Sequence, residues 1–125
     1  MEQKTAAAPE RLLVLLTITE RDRGEDFAGL YRELDLNFNM ISPCYGAAGL
    51  EILDYFGLTE TERDMVITIG PEDRIRNALQ RARTRFHLEE PGSGIAFTLP
   101  VTGVSGPRAY AYVTTILQRR ETHGR

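Results

Sequence analysis

The sequence predicts an α+β fold, a four-stranded antiparallel sheet with two helices on one face, and three observations carry that prediction. Two segments with helical periodicity, Phe27–Leu34 and Ile75–Phe86, each stand between segments of strand character. The order along the chain is strand, helix, strand, short insertion, strand, helix, strand. The first strand segment, Arg11–Thr19 ("RLLVLLTIT"), is apolar at nearly every position until its end, as expected of a mid-sheet strand covered on both faces.

Met1–Glu10 is polar and Ala-rich with Pro9 near its end, and reads as a flexible arm. After the first strand, Phe27, Leu30, Tyr31 and Leu34 fall at i, i+3, i+4 and i+7, one apolar stripe of a helix. Glu25 and Asp26 stand in its first turn, where carboxylates complement the helix dipole. "NFNMISP" alternates before losing its period at Ile41, which predicts a strand ending near Pro43, because proline cannot donate to a ladder.

"GAAGLEILDYFGL" holds one or two helical turns, with Ile52, Leu53 and Phe56 inward and Gly57 as the stop. In "DMVITIG", Met65, Ile67 and Ile69 share one face and Val66 and Thr68 the other, the pattern of a strand. Pro71 then opens a helix with Glu72 and Asp73 beside it, and Ile75, Leu79, Ala82 and Phe86 form its buried stripe with Ala78 alongside. The turn "PGSG" leads into a strand from Gly94 to Val104, and residues 107–118 ("PRAYAYVTTILQ", after Gly106) read as a further edge strand. Residues 119–125 read as a solvated tail.

The β-α-β-β-α-β order is the split βαβ, or ferredoxin-like, arrangement. Residues 11–106 form this domain, 107–118 a C-terminal strand extension. No helix remains for the second sheet face, so self-association is expected to bury it.

Composition bounds the function. A chain of 125 residues is one domain, and 42% hydrophobic with 26% charged residues is a globular composition. A net charge of −3 argues against holding nucleic acid by bulk electrostatics. The longest apolar run, Leu12–Leu16, is too short for a membrane span, and the first ten residues lack a secretory pattern. One cysteine, Cys44, makes no internal disulfide, and a cytoplasmic location is expected.

Catalytic chemistry has few candidates. Cys44 reads as an ordinary buried thiol, His87 as a helix C-terminal cap, and His123 as part of the tail. No His, Cys or carboxylate cluster has metal-ligand spacing, and Glu60, Glu62 and Asp64 sit beside Arg63 in an expected exposed loop. Arg74, Arg76, Arg81, Arg83 and Arg85 spread around one helix as a solvated face. A non-enzyme is expected. Gly46 and Gly49, and Gly92, Ser93 and Gly94, mark two turns whose backbone amides suit a phosphate if the fold brings them to one edge; a plain turn is the other reading of "PGSG".

Taken together, "RLLVLLTI", "NFNMIS", the glycine-bearing "CYGAAG", "DMVITIGPEDRIRNALQRAR" and "GSGIAF" resemble, in that order, the PII signal-transduction family of nitrogen-regulatory trimers. The resemblance spans residues 11–106, and "EILDYFGL" with "EEPGSGIAFTLPV" is most similar to a divergent branch with a shortened T-loop. It implies a homotrimer whose intersubunit clefts, between T-loop base and B-loop, take an adenine nucleotide such as ATP or ADP. It also implies a regulated partner, an enzyme or transporter. On this resemblance the effector site comprises Gly46, Gly49, Gly92, Ser93, Gly94 and Arg108, with Arg63 as a further charge partner. Two departures stand out: Ser93 replaces the B-loop's acidic residue, and Ile95 its phosphate-contacting lysine. A charge-assisted contact of about 1.5 to 3 kcal/mol is thereby absent. The alternative is a scaffold or protein-interaction module that keeps the fold and binds no nucleotide.

Overall fold

A computed structural model describes residues 10–45 and 62–114. The arm 1–9, the insertion with Gly46, Gly49, Ile52, Leu53, Phe56, Gly57 and Glu60, and residues 115–125 lie outside the described residues. The elements are β1 (Leu12–Glu20), α1 (Gly24–Glu33), β2 (Phe38–Tyr45), β3 (Glu62–Pro71), α2 (Glu72–Arg85), β4 (Ile95–Pro100) and α3 (Pro107–Thr114). The sheet order is β2-β3-β1-β4, with every pairing antiparallel. The expected α+β, ferredoxin-like arrangement is what forms.

β1 is central, and alternation splits it into two faces. Leu13, Leu15, Thr17 and Thr19 are buried on one side, while Val14, Leu16 and Ile18 are only half-buried on the other. On the first side α1 and α2 close the core: Phe27, Ala28, Leu30 and Tyr31 from α1, and Ile75, Ala78 and Ala82 from α2, pack with Leu15 and Val66. The predicted stripes are therefore the core stripes, and the Phe27 and Phe86 rings join them at 4.0 Å between centroids.

Both helices end with the same backbone device. Asp35 and His87 take positive φ (67° and 56°), and the next residue's amide reaches back, Leu36 to Tyr31 O and Leu88 to Arg83 O. This is the Schellman ending, with an apolar residue turned back onto the core; Leu36 is fully buried and Leu88 packs against the cluster. His87 thus caps α2 by its backbone conformation, with its side chain exposed.

Four sequence expectations are corrected. β2 runs through Pro43 to Tyr45; it is an edge strand, where a missing N–H costs no ladder bond. β4 stops at Pro100 rather than Val104. Residues 107–114 are helix, not strand: Pro107 stands at the first helical position, and a helix satisfies its own amides where a lone strand would need a partner. Asp64 and Arg63 are buried in β3 (7% and 3% exposed) rather than in an exposed loop. Asp64 offsets the cost of its burial by accepting the amides of Asp22 (2.9 Å) and Gly24 (3.1 Å). A carboxylate from β3 thus serves the N-terminus of α1, which has no side-chain cap of its own.

A polar pair crosses the core. Tyr31 Oη and Thr17 Oγ1 are hydrogen-bonded at 2.8 Å, and burial pushes the Tyr31 phenol up to about 12. The neutral phenol is the form the fold accepts. Its contribution to stability is therefore complete below the ordinary tyrosine value of about 10 and is lost as pH rises through about 12. Urea unfolding of Tyr31→Phe should show about 1 kcal/mol lower stability at neutral pH, from the unpaired Thr17 hydroxyl, and a shallower alkaline decline than the wild type.

Candidate functional site

The antiparallel register gathers the end of β1, the end of β2 and the starts of β3 and β4 at one end of the sheet. Cys44 stands opposite Arg63, Arg63 opposite Glu20, and Ile18 opposite Ile95. The turn Gly92-Ser93-Gly94 precedes Ile95 and so lies at this end, as do the residues flanking the insertion that holds Gly46 and Gly49. Tyr45 and Glu62, which flank the insertion, and the Gly92–Gly94 turn are therefore at the same end of the sheet, on different strands of the order β2-β3-β1-β4.

The turn itself is shaped by sterics. Gly94 is buried with φ of 108°, and a Cβ there would lie 2.7 Å from the Ile18 carbonyl oxygen. Only glycine allows the chain to pass β1 this closely. Gly92, with φ of 89°, faces open space among the described residues, and the Ser93 amide is engaged with Glu90 O at 3.3 Å. Gly94 is thus required by the fold itself, whatever else the turn does.

The sheet end holds a buried cation, Arg63, at the start of β3. The Arg63 guanidinium donates from Nη1 to its neighbour's carbonyl, Glu62 O, at 2.8 Å. Its Nε and Nη2 are buried and have no hydrogen-bond partner among the described residues. Leaving buried charged donors unpaired is costly, and a carboxylate or phosphate would satisfy both. On the other side of β3, Asp64 ties the start of the strand to the β1–α1 turn, with Arg21 bridging to Glu62 (2.7 Å) and Asp64 (3.6 Å). Arg63 is therefore mounted on a fixed strand end.

Arg108 is placed elsewhere. It is exposed on α3, and that helix is tied by Tyr110 Oη to the Glu10 carbonyl (3.2 Å), just before β1 begins. Within one chain, the length of the sheet separates it from Gly92–Gly94. A hollow of about 140 Å³ at that far end is lined by Glu10, Arg11, Pro71, Glu72 and Asp73, an acidic lining ill suited to a phosphate. The α2 arginines are largely solvated: Arg76 pairs with Glu72, Arg83 with Glu89 and Arg85 with Glu33.

The second sheet face is apolar across all four strands. Directly paired residues share a face, so three rows follow from the register: Phe38, Ile69, Val14, Leu99; then Met40, Ile67, Leu16, Phe97; then Ser42, Met65, Ile18, Ile95. Met40, Phe97 and Leu99 are 50%, 39% and 43% exposed. Ile95, standing where the resembling family has a lysine, is a member of this face. Among the described residues, no helix is long and apolar enough to cross a membrane, and no three His, Cys, Asp or Glu side chains converge as metal ligands.

No protein-family model matches the chain, and no curated protein matches it. Solved structures do. The chain is similar to CPII of Thiomonas intermedia K12, bound to ADP, AMP and acetate, with TM-score 0.62 and 17% identity over 87% of this chain and all of that one (100%). It is similar to a PII-like signalling protein of Thermus thermophilus, with TM-score 0.55 and 16% identity over 74% of this chain and 87% of that one. CutA1 of Ehrlichia chaffeensis, a divalent ion tolerance protein, also matches, with TM-score 0.59 and 10% identity over 85% and 94% of the two chains. The chain has the fold these proteins share.

Substituting the two turn glycines separates backbone demand from ligand demand. Gly94→Ala should cost about 3 kcal/mol, combining strained φ with the clash at Ile18, and Gly92→Ala about 1 kcal/mol, from φ alone. Urea denaturation of both variants without ligand checks this; equal costs would remove the steric account of Gly94.

Proposed function

We propose that this protein is a PII-like regulator that binds an anionic effector of the adenine-nucleotide class between copies of itself and passes that signal to a partner protein. The observation that carries this reading is Arg63, a buried guanidinium with two nitrogens unpartnered among the described residues, at the same sheet end as the Gly92–Gly94 turn. It supplies the positive charge that Ile95 does not. The adenine nucleotides bound by CPII support that choice of effector class. Gly46 and Gly49 complete the site on this reading. Arg108 comes from a neighbouring copy, since its own chain holds it at the far end.

The apolar sheet face supports the assembly. Its three rows carry no charged side chain, and three copies closing these faces around a three-fold axis would remove them from water. The resemblance to the PII family further suggests a cytoplasmic role in nitrogen metabolism, with an enzyme or transporter as the regulated partner. The second reading, a scaffold without nucleotide, is favoured by Ile95 and by the engaged Ser93 amide.

Two measurements separate these readings. Calorimetry with ATP, ADP and AMP should detect binding to the wild type and at least about tenfold weaker binding to Arg63→Gln, the loss of one charge-assisted contact. Silence with all three nucleotides would leave the scaffold. For the assembly, native mass spectrometry should find three chains in the wild type and single chains in Phe97→Asp, whose carboxylate would be buried unpaired in the interface. A monomeric wild type would contradict the assembly.

A further inference from the structure

Arg63 is flanked in sequence by two carboxylates, and the fold gives both to other partners. Glu62 pairs with Arg21 at 2.7 Å. Asp64 accepts the Asp22 and Gly24 amides, with Arg21 3.6 Å away. For Arg63 there remains one backbone acceptor, the Glu62 carbonyl oxygen, which Nη1 reaches at 2.8 Å. Nε and Nη2 are buried without a hydrogen-bond partner among the described residues, and the whole residue is 3% exposed.

Nε and Nη2 lie along one edge of the guanidinium plane. Their N–H groups on that edge run parallel, and the bond at Nη1 holds the plane in place. Two parallel donors of this kind match two oxygens carried by one central atom, as in a phosphate, a sulfate or a carboxylate. A neutral ligand would leave the buried charge uncompensated, and a halide would meet the edge with a single atom. We propose that the Nε–Nη2 edge of Arg63 is a binding site for one compact oxyanion group, held by both nitrogens at once, and that a free inorganic oxyanion suffices to fill it. This rests on the reading of Arg63 as an anion site given above, and adds the group recognised and the atoms that hold it. The phosphate of a nucleotide and free inorganic phosphate share this chemistry, and the bare ion needs no adenosine.

The test uses the full-length chain at one protein concentration, with inorganic phosphate as the probe and sodium chloride at equal ionic strength as the reference. Wild type, Arg63→Met and Arg63→Lys are compared by calorimetry and thermal unfolding. In chloride, Arg63→Met should melt no lower than the wild type, because apolar atoms of similar length replace an unpaired buried charge. A lower Tm would mean that the edge is already paired within the protein or its assembly, and overturns the proposal. Phosphate at about ten times its Kd should raise the wild-type Tm by about 5 °C more than that of Arg63→Met. Taking this difference removes the general action of phosphate on protein surfaces. Equal rises in the two chains overturn the proposal. Arg63→Lys keeps the charge without the paired donors and should bind phosphate about tenfold more weakly than the wild type; equal affinity overturns the two-nitrogen contact. ATP, ADP and AMP are then titrated into the same chains. A response to phosphate with none to the nucleotides removes the nucleotide reading and supports the oxyanion site. A nucleotide response that persists in Arg63→Met, with no response to phosphate in the wild type, keeps the nucleotide and overturns the oxyanion site.

Discussion

β1 is apolar on both of its faces, and among the described residues the chain folds helices onto only one of them. Much else follows from that imbalance. On the helix side, Leu13, Leu15 and Thr17 meet α1 and α2 in a closed core. On the other side, Val14, Leu16 and Ile18 join β2, β3 and β4 in a continuous apolar surface. Burying such a surface is worth roughly 25 cal/mol per Å², which is the gain that the proposed three-copy assembly would draw on.

The start of β3 shows how one strand serves both sides at once. Neighbouring residues point to opposite faces, and here they are Asp64 and Arg63. Asp64 turns inward, accepts two amides and secures the N-terminus of α1 to the sheet. Arg63 turns to the apolar side and leaves two donors without acceptors among the described residues. A satisfied charge ties the strand end to α1, and the unsatisfied one beside it is the group that the proposed function assigns to an anion. Fixing the cation in this way reduces the ordering cost that a flexible surface arginine would bring to binding.

The glycine turn before β4 has a different physical basis from the one its composition suggests. Gly94 is demanded by its approach to the Ile18 carbonyl, and the Ser93 amide closes the turn on Glu90. Ile95 extends the apolar face. On the proposed function it is Arg63 that would draw an anion to this end, with β1 between its strand and the one the turn leads into.

The amino-acid sequence by itself determined the element order, the apolar stripes of α1 and α2, and the two-faced character of β1. These are periodic patterns, read over a few residues, and the physics behind them is local. Tertiary structure decided the rest. Pro43 is tolerated because β2 lies at an edge, a fact of sheet order. Residues 107–114 alternate like a strand, yet none of the described strands pairs with them, and Pro107 starts a helix. Asp64 and Arg63 look like loop charges because their burial depends on partners, and on the absence of partners, that only folding reveals. Of the predicted site, Gly92, Ser93 and Gly94 stand with Arg63 at one sheet end and Arg108 stands at the other. Register, edge position and pairing are relations between distant segments, and they exist only once the sheet has closed.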